Sequence, residues 1–431
     1  MRNRFQLLLD LFIALILLVL LRFGLRLAFD SDEWCVGDWL INYHGGFVRR
    51  GLAGEVILAV ARWSHVRPPW IVLFIQLLCY CILLLTFRKL VLDSSKRIWI
   101  LMLTVSPATL AFPLLEIYGG YRKELLFFAS LAILLFLLLY RKTSDGWLIA
   151  YLCLVLPAAI LSSEVVAFYL PYYLAALILA RENWRRGLLI FAVPAILACT
   201  ATLFSVNYLG NLHVAQTICS AAGYEWSATG PCSGSIAYLA TTKEAAHKEL
   251  STDLQTSPVF ELYPVLALLS FMPILFGVFH LSRFPALRRS IWVFGYALGS
   301  SAAFSTVLFY YTSDWGRWIY MHTLAAAFLI LVIERRKQTD ITIAEPEGTP
   351  IYGPRRIVVS TLVGIYALCW NLPPDAGGPY LPIRVFVLSM GQESTIYWAI
   401  GRLIGLTVLA TTRTCFQARP DPQPTEETGN L

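Results

Sequence analysis

The chain has 431 residues, of which 58% are hydrophobic and only 14% charged, with a formal net charge of +7 and a mean hydropathy of +0.64. An ordinary soluble domain carries about 25% charged residues, and a water-facing surface cannot be built from so few. Soluble enzymes and nucleic-acid-binding proteins are excluded, and the composition is that of a polytopic membrane protein.

A helix needs roughly 20 apolar residues to cross a bilayer, and lipid offers no partner to the polar groups of an open backbone. In chain order, the apolar runs predict an all-α polytopic membrane protein with about twelve transmembrane helices. They fall at 6–29, 69–87, 98–115, 124–140, 147–163, 165–180, 187–206, 259–281, 290–311, 318–334, 356–371 and 394–411. Only Ser162, Ser163 and Glu164 separate the fifth from the sixth, so counts of eleven and thirteen stay open. One long connection (207–258) and two polar segments (335–355 and 412–431) complete the chain. The expected organisation is a single transmembrane domain over 1–411. A Pro- and Glu-rich tail over 412–431 has the composition of a disordered segment.

The first run follows Met-Arg-Asn-Arg, is longer than a signal-peptide core and has no small-residue cleavage site behind it. It predicts an uncleaved span with a cytoplasmic N-terminus, and twelve spans return the C-terminus to the same side. Most of the 34 Lys and Arg, among them Arg88, Lys89, Arg141, Arg185 and Arg335, then lie in cytoplasmic connections, as the positive-inside rule requires. That bias explains the net charge without an acidic partner. Cys219 and Cys232, in the long outer loop, predict a disulfide formed in an oxidising compartment. The remaining cysteines read as small core hydrophobes.

The outer connections carry the chemistry. After the first span comes FDSDEWCVGDWLINYHGGFVRRGLAGE (29–55), then EIYGGYRKE (116–124), SSE (162–164), TSDWGRW (312–318) and NLPPDAGGPYLPIR (371–384). Ionisable groups at a bilayer edge are costly and tend to face one another or a water-filled cavity, so five clusters on one side point to a single outward-facing site. The competing reading is polar loops with an aromatic belt at the interface.

Asp30, Asp32, Glu33 and Asp38 crowd the end of the first span. Gly45 and Gly46 then permit a tight course into Arg49 and Arg50, and 51–63 is apolar but too short to span, which predicts an amphipathic helix lying in the interface. Arginine suits phosphate because its planar fork donates two hydrogen bonds at once. Arg49, Arg50, Arg122, Lys123 and Arg317 are therefore candidate phosphate ligands, with headgroup anchoring as the alternative for the first pair. Glu116 and Glu124 are candidate ion-pair partners of Arg122 and Lys123, and Glu164 a glutamate orienting Arg122 or Arg317. Asp314 and Arg317 are three apart on one helix face and can form their own pair. His44 and His322 lie near clusters, but no two histidines have metal-ligand spacing.

At Asp30-Ser31-Asp32-Glu33, followed by the amphipathic stretch 51–63, the sequence resembles the GT-C superfamily of membrane glycosyltransferases. These carry a modified D-x-D-like acidic motif in the first outer loop, followed by membrane-lying helices, and use polyprenyl-phosphate or polyprenyl-diphosphate sugars. The resemblance implies a GT-C-like fold, a lipid-linked sugar donor and a glycan or lipid-linked acceptor. GGFVRRGL (45–52) also looks like membrane proteins found with bacterial polysaccharide-assembly enzymes, which implies such proteins as partners. The chain lacks the large soluble outer domain common in that superfamily, and any WWDYG-type signature. On this resemblance Asp32 or Asp38 is the base, Asp30 supports it, and a divalent cation (Mg or Mn), if one is used, binds Asp30 and Asp32. Glycosyl transfer needs a carboxylate to deprotonate the acceptor hydroxyl and cations to neutralise the departing phosphate.

Two other readings compete. A polysaccharide polymerase or ligase typically carries arginines in its large outer loop, but 207–258 has none and offers only Lys243 and Lys248 as cations. A transporter or flippase shows broken helices at mid-membrane and matching halves, whereas these charges gather at one edge and the halves do not match. Short basic inner connections and an outer loop without N-glycosylation sequons point to a bacterial inner membrane, with the site facing the periplasm.

Overall fold

The computed structural model describes residues 2–94, 97–227, 230–257, 259–340 and 354–375; among them there is no strand. α1 (Arg2–Asp30) is followed by the single turn α2 (Gly37–Leu40), then α3 (Gly51–Ser64) and α4 (Pro68–Leu92). Pro68 and Pro69 open α4, where a missing N–H leaves no bond unmade. Next come α5 (Ile98–Val105), the single turns α6 (Phe112–Leu115) and α7 (Ile117–Gly120), α8 (Leu125–Leu139) and α9 (Asp145–Ser162). A 3-10 turn over Glu164–Tyr169 runs into α10 (Leu170–Arg181) and is followed by α11 (Trp184–Asn207), α12 (Leu212–Ala221) and α13 (Lys243–Thr256). The chain continues with α14 (Val259–Leu281), α15 (Arg288–Tyr311), α16 (Trp315–Asp340) and α17 (Pro354–Leu368).

Among the described residues, eight helical stretches are long and apolar enough to cross a membrane. They match the expected first, second, fifth to seventh and eighth to tenth spans. α8 is apolar but has 15 residues, as has α17 in the place of the eleventh. The expected twelfth span (394–411) and the tail (412–431) lie outside the described residues.

The expected third span, 98–115, is not one helix. α5 ends at Val105 because Pro107 disfavours the helical region for the residue before it, and Ser106 is extended at φ −60°, ψ 134°. The chain then folds inward through α6 and α7. Nearly every residue from Ser106 to Glu124 is buried, with Thr109 Oγ1 donating to the Leu103 carbonyl at 2.6 Å and Ser106 Oγ 2.9 Å from the Tyr366 hydroxyl. Irregular backbone at membrane depth is tolerated only where protein encloses it. EIYGGYRKE is thus a buried re-entrant segment rather than a surface loop.

α16 is the centre of the bundle. Every residue from Gly316 to Glu334 is buried, packed by α14, α15, α10 and α4. Ala325, Ala326 and Ala327 let neighbours approach closely, as small residues do between membrane helices. The outer ring turns apolar side chains such as Leu189, Ile196 and Trp292 outward.

α3 forms where the amphipathic stretch was expected. Ile57 and Leu58 are buried, while Val56, Val60 and Trp63 are exposed. Gly54 is obligatory at the crossing with the preceding loop, because a Cβ there would lie 2.0 Å from the Ile41 carbonyl oxygen. Over this loop folds the segment 207–240. Arg49 N–H donates to the Tyr208 carbonyl at 2.8 Å, Asn42 Nδ2 to that of Ile218 at 3.2 Å, and Ser235 N–H to that of Glu33 at 3.1 Å. The Cys219–Cys232 disulfide ties the two gripping stretches together.

Candidate functional site

The first loop does not present its acids as one motif. Asp30 is exposed at the end of α1, 3.7 Å from Arg26 one turn back. Asp32 Oδ1 accepts the N–H groups of Trp34 at 2.9 Å and Cys35 at 2.5 Å, so this carboxylate caps the turn that leaves α1. Glu33 accepts the Ser233 hydroxyl. With these acids committed to local contacts, the Asp30/Asp32 pair does not fit a divalent cation. Among the described residues no group of three or more His, Cys, Asp or Glu gathers to hold a metal.

Asp38 differs. It is 2% exposed, accepts the Lys123 N–H at 3.3 Å and faces Arg122 Nε at 3.9 Å. Burial alone would raise its carboxyl, but Lys123, Arg122 and Arg50 together hold it below the usual carboxylate range. Lys123 is itself wholly enclosed. Burial pushes its ammonium down to about 8, with Asp38 opposing, and Nζ donates to the Arg50 carbonyl at 2.6 Å.

Arg50 adopts φ +65°, an unusual backbone for a residue with a side chain. The Lys123 contact fixes that carbonyl, and the guanidinium forks onto Glu164, with Nε 2.9 Å from both oxygens and Nη2 at 2.7 Å. Burial weakens the Arg50 charge but Glu164 more than compensates, leaving it more firmly protonated than usual. Arg49 reaches Glu164 only at 3.7 Å, and burial together with the Arg50 charge pushes its guanidinium down.

Arg317 at the head of α16 meets Glu124 Oε1 at 2.7 Å and Asp314 Oδ2 at 3.0 Å. Its N–H donates to the Pro374 carbonyl at 3.2 Å. A Cβ at Gly316 would lie 1.6 Å from the Pro373 oxygen, so only glycine lets this strap lie against the helix. A small pocket opens here, walled by Gly119, Gly120, Arg122, Glu124, Arg317 and Tyr320. Arg122 also lies over the Trp34 ring at 5.2 Å.

The fold therefore brings Asp38, Arg49, Arg50, Arg122, Lys123, Glu124, Glu164, Asp314 and Arg317 into one cluster. Glu164 pairs with the first-loop arginines rather than with Arg122 or Arg317, and Glu124 with Arg317 rather than with Arg122 or Lys123. Glu116 accepts Asn371 Nδ2 at 2.5 Å. His44 sits aside, against Asn42 and Glu55, and His322 lies within the bundle between the Tyr172 and Ser305 hydroxyls at 2.9 and 2.8 Å.

Several atoms of the cluster are buried without a hydrogen-bond partner: Asp38 Oδ1, Arg49 Nε, Arg122 Nε, Glu124 Oε2 and Arg317 Nε. The Tyr169 hydroxyl, within electrostatic range of Glu124 and Arg317, is another. Buried polar atoms are nearly always paired; among the described residues other orphans lie outside the cluster, Asp145 Oδ1 and Arg181 Nε at the opposite end of the bundle among them. Sequence reasoning missed Tyr169, Trp34 and Asn371; the only trace in the sequence is their position within or beside the polar clusters.

Residues 7–247 match the family described as uncharacterised membrane protein Rv1490. The match spans more than half of the chain, and the chain belongs to that family. No curated protein and no solved structure matches it.

Proposed function

Starting from membership of that membrane-protein family, we propose that the chain is a glycosyltransferase of the outer, periplasmic face of a bacterial inner membrane. It takes a sugar from a polyprenyl-phosphate or polyprenyl-diphosphate donor and passes it to a hydroxyl of a glycan or lipid-linked acceptor. The observation that carries this reading is the pocket at Arg122 and Arg317, with Arg49, Arg50 and Lys123 in the same cluster. Holding five cations against four acids in a buried place is costly unless they have work to do. A phosphate that gains charge as the glycosidic bond breaks is the guest such a bank favours, because preorganised donors in a water-poor site cost no reorganisation as charge develops. The exposed Val56, Val60 and Trp63 of α3 supply an apolar surface for lipid beside the loop that carries Arg49 and Arg50.

Binding precedes chemistry in this scheme. The donor phosphate enters the pocket between Arg122 and Arg317, and the guanidinium of Arg122 exchanges its long contact with Asp38 for phosphate oxygens. Glu164 keeps Arg50 in place during this exchange, and Asp38 remains the counter-charge beneath. The polyprenyl chain stays in lipid, so the reacting bond lies at the membrane edge.

The test is radiolabelled-sugar transfer by the full chain in lipid nanodiscs, supplied with polyprenyl-phosphate and polyprenyl-diphosphate sugars and a pool of hydroxyl acceptors. Transfer by the unaltered chain, reduced ~10²-fold or more in Arg122→Gln, is the expected result. Movement of the donor across the bilayer without product would replace this reading with a flippase.

A further inference from the structure

We infer that Glu124, and not an acid of the first loop, is the carboxylate that takes the proton from the acceptor hydroxyl in this pocket. The inference rests on the glycosyltransferase reading and adds the identity of the base. It starts from how each acid of the region spends its oxygens. Asp30 is exposed beside Arg26, Asp32 uses Oδ1 to cap a turn, and neither walls the pocket. Glu164 is covered by the Arg50 fork. Asp38 does not wall the pocket, and Lys123, Arg122 and Arg50 stabilise its charged form, which makes it a counter-ion and a poor proton acceptor.

Glu124 brings together three properties that none of these acids combines; Asp38 shares only the unpaired buried oxygen. Glu124 walls the pocket. Its Oε1 is held by Arg317 at 2.7 Å, which fixes the carboxylate plane. Its Oε2 is buried and carries no hydrogen bond among the described residues. Arg317 Nε is likewise without a partner among them. A hydroxyl oxygen complements this pair, donating its proton to Oε2 and accepting from a guanidinium N–H.

The step balances. The acceptor O–H bond breaks as Glu124 Oε2 takes the proton, and the oxygen lone pair forms the new bond to the anomeric carbon. The bond from that carbon to the phosphate oxygen breaks, and its electron pair leaves on the phosphate, beside Arg122 and Arg317. Glu124 returns its proton to water when product departs. The charged and titratable groups around it are Arg317 and Tyr320 from α16, Asp314 just before that helix, Tyr169 from the turn before α10, Arg50 from the first loop, and Arg122 and Lys123 from its own segment.

The variants are Glu124→Gln, Glu124→Asp and Asp38→Asn in the full chain, assayed for transfer across pH and for donor retention on nanodiscs. Glutamine still accepts from Arg317, and Asp314 still neutralises it, so Glu124→Gln removes the proton acceptor while sparing that hydrogen bond and the Asp314–Arg317 pair. We expect transfer to fall ~10²- to 10⁴-fold, donor retention to change less than about threefold, and the acidic limb of the pH–rate profile to vanish. Glu124→Asp keeps that limb at a reduced rate, and folded Asp38→Asn keeps it as well. Transfer by Glu124→Gln at the unaltered rate, or with its acidic limb intact, overturns the inference and leaves the reading standing. Loss of the limb in Asp38→Asn alone gives the role to the first loop. A parent chain that transfers no sugar overturns the reading, and the inference with it.

Discussion

At the end of the bundle away from the first loop, Arg88 meets Asp10 with side chains 26% and 38% exposed, and Arg335 meets Asp93 with 26% and 27%. Arg186 to Asp145 and Arg336 to Glu182 are similar pairs at that end. At the first-loop end, Arg317 and Glu124 meet with 6% and 10% exposed, and Arg122 and Asp38 with 8% and 3%. The residue types are the same, but the surroundings reverse their meaning. Partly exposed pairs contribute about 0–1 kcal/mol each and tie helix ends together. Enclosed pairs lose hydration that their attraction only partly returns, so such a cluster is weak support for stability.

The sharpest way to break this comparison is to remove one partner at each end. Asp38→Asn leaves Arg122 and Lys123 enclosed without their counter-ion and is expected to cost about 3–5 kcal/mol; Asp10→Asn is expected to cost under ~1 kcal/mol. Denaturant unfolding of both variants in detergent checks the contrast, and equal losses would abolish the distinction between the two ends.

The next effect concerns the segment that grips the first loop. Reduction of Cys219–Cys232, or Cys232→Ser, opens a loop of thirteen residues and is expected to cost about 3 kcal/mol by chain entropy. Hydrogen exchange should rise in 31–55 and 207–240 and stay unchanged in α9 and α11. Uniform loosening of the whole bundle would contradict a local clamp.

The smallest expected effect is a pH dependence belonging to the enclosed cluster. Lys123 has a folded-state value near 8 against 10.5 when unfolded. Between these values the unfolded chain binds the additional proton, so stability rises with pH, by an amount on the order of 2 kcal/mol. Below about 8 both states are protonated and the cost of the enclosed ammonium is fully present. Asp38 works at the other extreme: its lowered carboxyl contributes stability above the unfolded carboxylate range, lost as pH falls through the folded value. Lys123→Met should flatten the alkaline rise in unfolding midpoint, and a rise that persists would assign it to another group.

Much of the bundle was legible in the sequence because burial in lipid demands a continuous apolar run, and such runs read directly as α1, α4, α9, α11, α14 and α15. The re-entrant segment was not legible, since Ser106-Pro107 and Pro113 interrupt a run that hydropathy alone makes continuous. For the site, sequence supplied the clusters and the residue types: Arg49, Arg50, Arg122, Lys123 and Arg317 do share one place. It paired Asp314 with Arg317 correctly but not Glu124 or Glu164, because pairing depends on which segments meet in space. Glu164 is 114 residues from Arg50, and Arg317 is 193 from Glu124. Composition and the lengths of apolar runs, which are local sums, determined that this chain is a helical membrane protein with many of its polar residues in clusters between the runs. Only the tertiary structure separated the capping Asp32 from the enclosed Asp38 and left one oxygen of Glu124 without a partner, because the role of a carboxylate is set by what surrounds it.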